Sequence, residues 1–256
     1  MPPPTYGAIG ERYKWLIDNN QNWLGNPVRE EEDLDGGRVQ MFERGSIYWW
    51  EDLLGGKAGD LGLVKLRYKG LYCWSTTFGA GSDEPYVTIG VASTPAGRGI
   101  SQRSQIYEDV DGGNERPDDL ELYVGPPYGA QLYCGLWEHD SGDQDEIHKT
   151  IMSVADEAAN KGEEACEGEA GPLAGKICRE VWDGYTRDVA SDFLTSLLGL
   201  GDDQITTWPW YVSPKEMCRM AWTEGLHHYG ITYDAESHLL KGDGADYKIY
   251  LEAEGV

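Results

Sequence analysis

Leu63-Val64-Lys65-Leu66-Arg67-Tyr68-Lys69-Gly70-Leu71-Tyr72-Cys73-Trp74-Ser75-Thr76-Thr77 carries the clearest fold signal in the chain. Apolar and polar residues alternate through it, the period of a strand with one face in a core. Outward from it the pattern repeats at short intervals. Pro85-Tyr86-Val87-Thr88-Ile89-Gly90-Val91, Gln105-Ile106-Tyr107, Leu120-Glu121-Leu122-Tyr123-Val124 and Gln131-Leu132-Tyr133-Cys134-Gly135-Leu136-Trp137-Glu138 are separated by Gly, Pro and Asp turns. Such spacing predicts an antiparallel β-sandwich.

Between 145 and about 200 the alternation stops. Ile147, Ile151, Val154, Ala155 and Ala158, then Ile177, Val181, Val189, Phe193, Leu194 and Leu197, fall at helical spacing on either side of Gly171-Pro172. This predicts a helical hairpin inserted in the sandwich. After it, Ile205 to Tyr211 reads as extended. Ser213 and Pro214 read as the N-cap and first residue of a helix. Tyr229–Tyr233 and Asp246–Glu252 read as closing strands. The expected architecture is mainly β with an α insertion.

Residues 1–62 read as a separate small unit ahead of a 63–256 sandwich. Ile9, Tyr13, Trp15, Leu16 and Ile17 predict a short helix, and Asp35-Gly36-Gly37 predicts a hairpin turn before alternating Arg38 to Trp49. The order of a Tyr-bearing helix, Leu24-Gly25-Asn26-Pro27, an acidic stretch Glu30-Glu31-Glu32-Asp33 and Gly36-Gly37…Gln40…Phe42…Gly45…Ile47-Tyr48-Trp49 resembles the LGFP repeat over residues 9–56. That resemblance implies a secreted or cell-surface protein and attachment to cell-wall or glycan material. Tyr48, Trp49 and Trp50 are the candidate ligand contacts, and a structural cap on the next domain is the alternative role.

Composition narrows the partners. Net charge is -24 and the isoelectric point about 4.4, so nucleic-acid phosphate is excluded as a partner. There are 10 Trp and 16 Tyr against 3 Phe; these residues combine an apolar face with a polar handle, and they serve either a β-rich core or sugar platforms. No apolar run is long enough for a transmembrane segment. The Met1-Pro2-Pro3-Pro4 start has no signal-peptide character, so secretion implies a signal absent from this chain. Of the five cysteines, Cys166 and Cys178 bracket a Gly/Pro turn and are the disulfide candidates. Cys73 and Cys134 read as buried thiols or a second pair, and no CxxC is present.

Three acidic loops carry the remaining chemical signal: Ser82-Asp83-Glu84-Pro85-Tyr86-Val87, Trp137-Glu138-His139-Asp140-Ser141-Gly142-Asp143 and Gly201-Asp202-Asp203-Gln204-Ile205. Carboxylates converging at strand ends suit calcium, which takes 6–8 oxygen ligands. The runs are similar to those of the calcium-dependent phospholipid-binding sandwich of synaptotagmin and protein kinase C, with Glu84 inserted before Pro85 and Glu138 in place of an Asp. The expected ligands are Asp83, Glu138, Asp140 and Asp203, with Asp143 and Asp202 in reserve. Asp109-Val110-Asp111-Gly112 lacks the length and terminal Glu of an EF-hand.

The five histidines form no zinc pair, and no HExxH, GxSxG, P-loop or dinucleotide motif occurs. The leading expectation is therefore a secreted calcium-binding protein that binds a glycan or cell-envelope surface; the sequence leans away from an enzyme without deciding it. The alternatives are a calcium-dependent membrane-binding or toxin-like protein, with a lipid surface as partner and the hairpin as moving element, and a polysaccharide hydrolase using two carboxylates.

Overall fold

The computed structural model describes residues 1–78, 81–93, 98–139, 144–166 and 203–256. Within them the chain is mainly β and every strand pairing is antiparallel.

Helix α1 (Gly7–Asp18) precedes a four-stranded sheet of β1 (Glu32–Leu34), β2 (Gly37–Met41), β3 (Ser46–Trp49) and β4 (Gly59–Leu61), in that order. Leu34 pairs with Gly37, so Asp35-Gly36 is a two-residue turn with φ of 50° and 73°. Positive φ at both positions is the type I′ geometry that matches strand twist. One face of this sheet packs on α1 through Ile9, Leu16, Leu24, Phe42 and Ile47. Val39, Tyr48, Trp50 and Leu61 on the other side join the main core.

The main body has two sheets. The larger contains β14 (Ala235–Glu236), β16 (Ala245–Gly255), β5 (Val64–Ser75), β9 (Glu115–Gly125) and β7 (Arg98–Gly99) in spatial order, with β15 (Leu240–Gly242) beside β16. The smaller runs β11 (Asp203–Val212), β10 (Ala130–Glu138), β6 (Pro85–Ser93), β8 (Gln102–Arg103). Leu66, Tyr68, Leu71, Cys73, Tyr247 and Ile249 from one sheet meet Val87, Ile89, Leu132, Cys134 and Leu136 from the other. The sandwich read from the sequence is present, and its core continues without a break into the N-terminal sheet across residue 62.

The inward set in β5 changes parity, from Leu66 and Tyr68 to Leu71 and Cys73. The register against β9 shifts between Tyr68 and Gly70, where Gly70 has φ 125°. This is a bulge: one extra residue flips the strand's faces. It carries Tyr72 and Trp74 onto the same outer face as Lys65, Arg67 and Lys69.

The outer face of β6 and β10 is covered by α2 (Gln144–Cys166). Ile147, Ile151, Ala155 and Ala158 pack on Tyr86, Ala92, Tyr133 and Trp137. The approach is close because Gly90 has no side chain; a Cβ there would lie 2.8 Å from the Ile151 carbonyl oxygen. This is the first arm of the expected hairpin; its turn and second arm, residues 167–202, lie outside the described residues. Helix α3 (Pro214–Trp222) follows β11 with the expected cap: Ser213 Oγ accepts from the Glu216 N–H at 3.2 Å. β12 (Leu226–His228) and β13 (Ile231–Tyr233) form a separate small hairpin.

Candidate functional site

The acidic strand ends separate into two environments. Asp83 is 3% exposed. Its Oδ1 accepts from Thr77 Oγ1 at 2.8 Å, its Oδ2 from the Tyr247 hydroxyl at 2.7 Å, and both oxygens lie 3.1 Å from the Thr77 N–H. This carboxylate ties the chain after β5 to β16. Burying it is tolerable because each oxygen has a donor. Glu138 stands instead at the end of β10, opposite Pro85 of β6 and Asp203 of β11. Its Oε1 accepts from the Glu84 N–H at 3.1 Å.

Strand pairing thus sets Pro85, Glu138 and Asp203 side by side along the backbone, with Glu84 one residue before Pro85. Among the described residues no three Asp, Glu, His or Cys side chains come together as a metal-holding group. Asp140, Asp143 and Asp202 lie outside the described residues. So does the Cys166–Cys178 pairing, since Cys178 is not described. Cys73, Cys134 and Cys218 are buried free thiols. Burial pushes the Cys73 thiol up to about 11 and that of Cys134 higher still, which makes them inert core residues.

The aromatic triplet expected to contact a ligand has other work. Tyr48 is fully buried and Trp50 is 2% exposed. Their rings stack at 6.2 Å, and Tyr48 meets Trp222 of α3 edge-on at 6.5 Å. Trp50 Nε1 donates to the Asp35 carbonyl at 2.9 Å, and Asp35 Oδ2 accepts from the Lys215 N–H at 3.2 Å in the first turn of α3. An acid on the free N–H groups of a helix start is stabilising. Tyr48 and Trp50 therefore seat the N-terminal sheet on the sandwich. Trp49 is half-buried on the opposite face, its Nε1 donating to the Gly56 carbonyl at 2.9 Å.

The indoles this unit displays are Trp15, 44% exposed, and Trp23, 38% exposed. Trp23 Nε1 donates to Asp60 Oδ2 at 2.6 Å, and Arg12 Nε donates to Asp60 Oδ1 at 2.6 Å. The Arg12 guanidinium lies 4.6 Å from the Trp15 ring centroid, one turn along α1, a cation–π contact. Trp23 lies over Gly45, where a Cβ would come within 2.5 Å of the indole. One carboxylate on β4 thus fixes an indole on a loop, an arginine on α1 and, through it, a second indole. The array offers two flat apolar surfaces flanked by a cation and an anion. Sequence reading passed over it because Trp15 and Ile17 look like the apolar side of an amphipathic helix, whereas Ile9 and Leu16 are buried and Ile17 is 50% exposed.

The Leu-Gly-Asn-Pro segment underpins the array. Leu24 is buried against α1. The Gly25 carbonyl accepts from the Tyr13 hydroxyl at 3.0 Å, and Asn26 donates through its N–H and Nδ2 to Glu43. Those bonds hold the Glu43 carboxyl below its ordinary range. Gln40 Nε2 bridges the carbonyls of Pro4 and Arg29 at 2.9 and 3.0 Å.

No helix among the described residues is long and apolar enough to cross a membrane. Comparison with curated proteins finds no match. Residues 24–56, the segment from the Leu-Gly-Asn-Pro start to the glycine that accepts Trp49, match the family model of the LGFP repeat, a cell-wall and surface-associated repeat.

Proposed function

We propose that this is a secreted or surface-displayed glycan-binding protein, and that its LGFP module meets a cell-envelope polysaccharide through Trp15, Arg12, Asp60 and Trp23. The observation that carries the reading is the shared Asp60 carboxylate, which fixes both the Trp23 indole and Arg12 on the solvent side of the module. Preorganised aromatic faces lose little conformational freedom on binding. A sugar ring stacks its C–H face on an indole and hydrogen-bonds its hydroxyls to neighbouring charged groups. The net charge of -24 favours an uncharged or basic glycan over a polyanion. The test is co-sedimentation with insoluble chitin, β-glucan and peptidoglycan. Trp15→Ala with Trp23→Ala should reduce retention at least tenfold without unfolding the chain; unchanged retention, or no retention of the wild type on any polymer, defeats the proposal.

A second reading is calcium at the shared end of β6, β10 and β11, supported by the register that sets Glu138 opposite Asp203, with Glu84 one residue before the paired Pro85. A ligand at about 100-fold its Kd stabilises the native state by about 2.7 kcal/mol. Calcium should therefore raise Tm relative to chelator, and Glu138→Gln should shrink the rise. Identical melting in both conditions rejects the site.

A further inference from the structure

The turn joining β12 to β13 is Tyr229-Gly230, since His228 pairs with Ile231. Both residues have positive φ, 50° and 68°. Two other two-residue turns share this backbone. Asp35-Gly36 has φ of 50° and 73°; Asp243-Gly244, between Gly242 and Ala245, has 48° and 87°. Both open on Asp, whose short polar side chain tolerates the left-handed region. A bulky aromatic there is an outlier, and such outliers cluster at binding sites.

Burial in a core does not account for the tyrosine. Tyr229 is 36% and Trp74 40% exposed. The Tyr229 ring lies on that of Tyr72 at 3.9 Å and 31°, while Trp74 stands edge-on to Tyr72 at 4.4 Å and to Tyr229 at 5.8 Å. The bulge at Gly70 is what turns Tyr72 and Trp74 outward. The three rings form a stepped apolar surface. Its rim is polar: His228 packs on Tyr229 at 3.9 Å, Lys248 Nζ lies 5.9 Å from the Trp74 ring, and Glu115 lies against Gly230.

We propose that this hairpin tip is a second carbohydrate site, separate from the module face, for an uncharged β-linked pyranose chain. Equatorial hydroxyls leave such a chain with flat C–H faces that match stepped aromatic rings, and its hydroxyls suit a rim of mixed donors and acceptors. A polyanionic glycan is disfavoured by the charge of -24. Two sites on one chain raise avidity for a polymer without new contacts.

The experiment is titration of the whole chain with soluble chitohexaose and laminarihexaose, read by tryptophan fluorescence, together with thermal melting and light scattering. The wild type should bind at least one oligosaccharide saturably, and which one identifies the sugar. Tyr229→Asn should weaken binding at least tenfold while Tm holds or rises, because asparagine suits the turn; a merely structural tyrosine would lower Tm. Trp74→Ala should weaken binding likewise. Trp15→Ala with Trp23→Ala removes the module site, so saturable binding that survives in that variant and is lost when Tyr229→Asn is added belongs to the hairpin tip, and failure here and failure at the module are told apart. The proposal is overturned if neither sugar binds, if Tyr229→Asn binds like wild type, or if a wild-type dimer dissociates in that variant, which would make the patch a contact with a second copy.

Discussion

The turns at Asp35-Gly36 and Tyr229-Gly230 share a backbone and differ in their first residue. In the module, Asp35 satisfies the geometry and is used twice more: its carbonyl accepts from Trp50, and its carboxylate from the start of α3. Local preference and tertiary packing agree there, the consistency expected of a foldable sequence. At the outer hairpin, Tyr229 opposes the local preference and leaves its ring partly in solvent. The difference teaches how to sort the aromatics. Tyr48 and Trp50 of the module are buried where conformation, packing and hydrogen bonding coincide; those at the hairpin stand where local conformational preference is violated.

The sharpest way to break this contrast is at Trp50. Trp50→Ala removes a buried ring and the bond to Asp35, and should cost about 3–5 kcal/mol. Because the core is continuous, denaturant unfolding should show one transition shifted as a whole. Early melting of the module alone, with the sandwich unmoved, would show two independent units. A smaller effect follows from exchanging the turns. Asp35→Tyr places a bulky residue at φ 50° and removes the acceptor of the Lys215 N–H, a loss of about 2–3 kcal/mol. Smallest is the reverse change at Tyr229, where Asn should leave stability level or gain about 1 kcal/mol by the strain relieved. If Asp35→Tyr is as well tolerated as wild type by denaturant midpoint, the conformational argument for Tyr229 falls with it.

Much of this was legible beforehand. The alternation in Val64–Ser75 marked a strand, because side-chain period follows directly from backbone geometry, and Ala130–Glu138 is a strand buried on both faces. Ser213-Pro214 marked a helix start, and Asp35-Gly36 a turn, since each depends on a few adjacent atoms. Ile147, Ile151, Ala155 and Ala158 marked the buried side of α2 by helical spacing. The candidate site was not legible in the same way. Tyr48, Trp49 and Trp50 belong to the module's aromatic signature, yet a strand in a middle layer has both faces covered, and its sequence does not say so. Asp83 and Glu138 look alike as acidic loop residues; only the fold turns one into the interior to meet Tyr247 and leaves the other at a strand end.

Element types, the module, the antiparallel class and the acidic surface were set locally, since all of them rest on neighbours a few residues apart or on summed charge. Tertiary structure alone decided which aromatics are core and which are displayed, because exposure depends on what packs from elsewhere: Trp222 and α3 over Tyr48, Asp60 beneath Trp23. It also decided the pairing of Tyr229 with Tyr72. That contact joins residues far apart in the chain through one bulge at Gly70, whose parity change reverses every side chain after it.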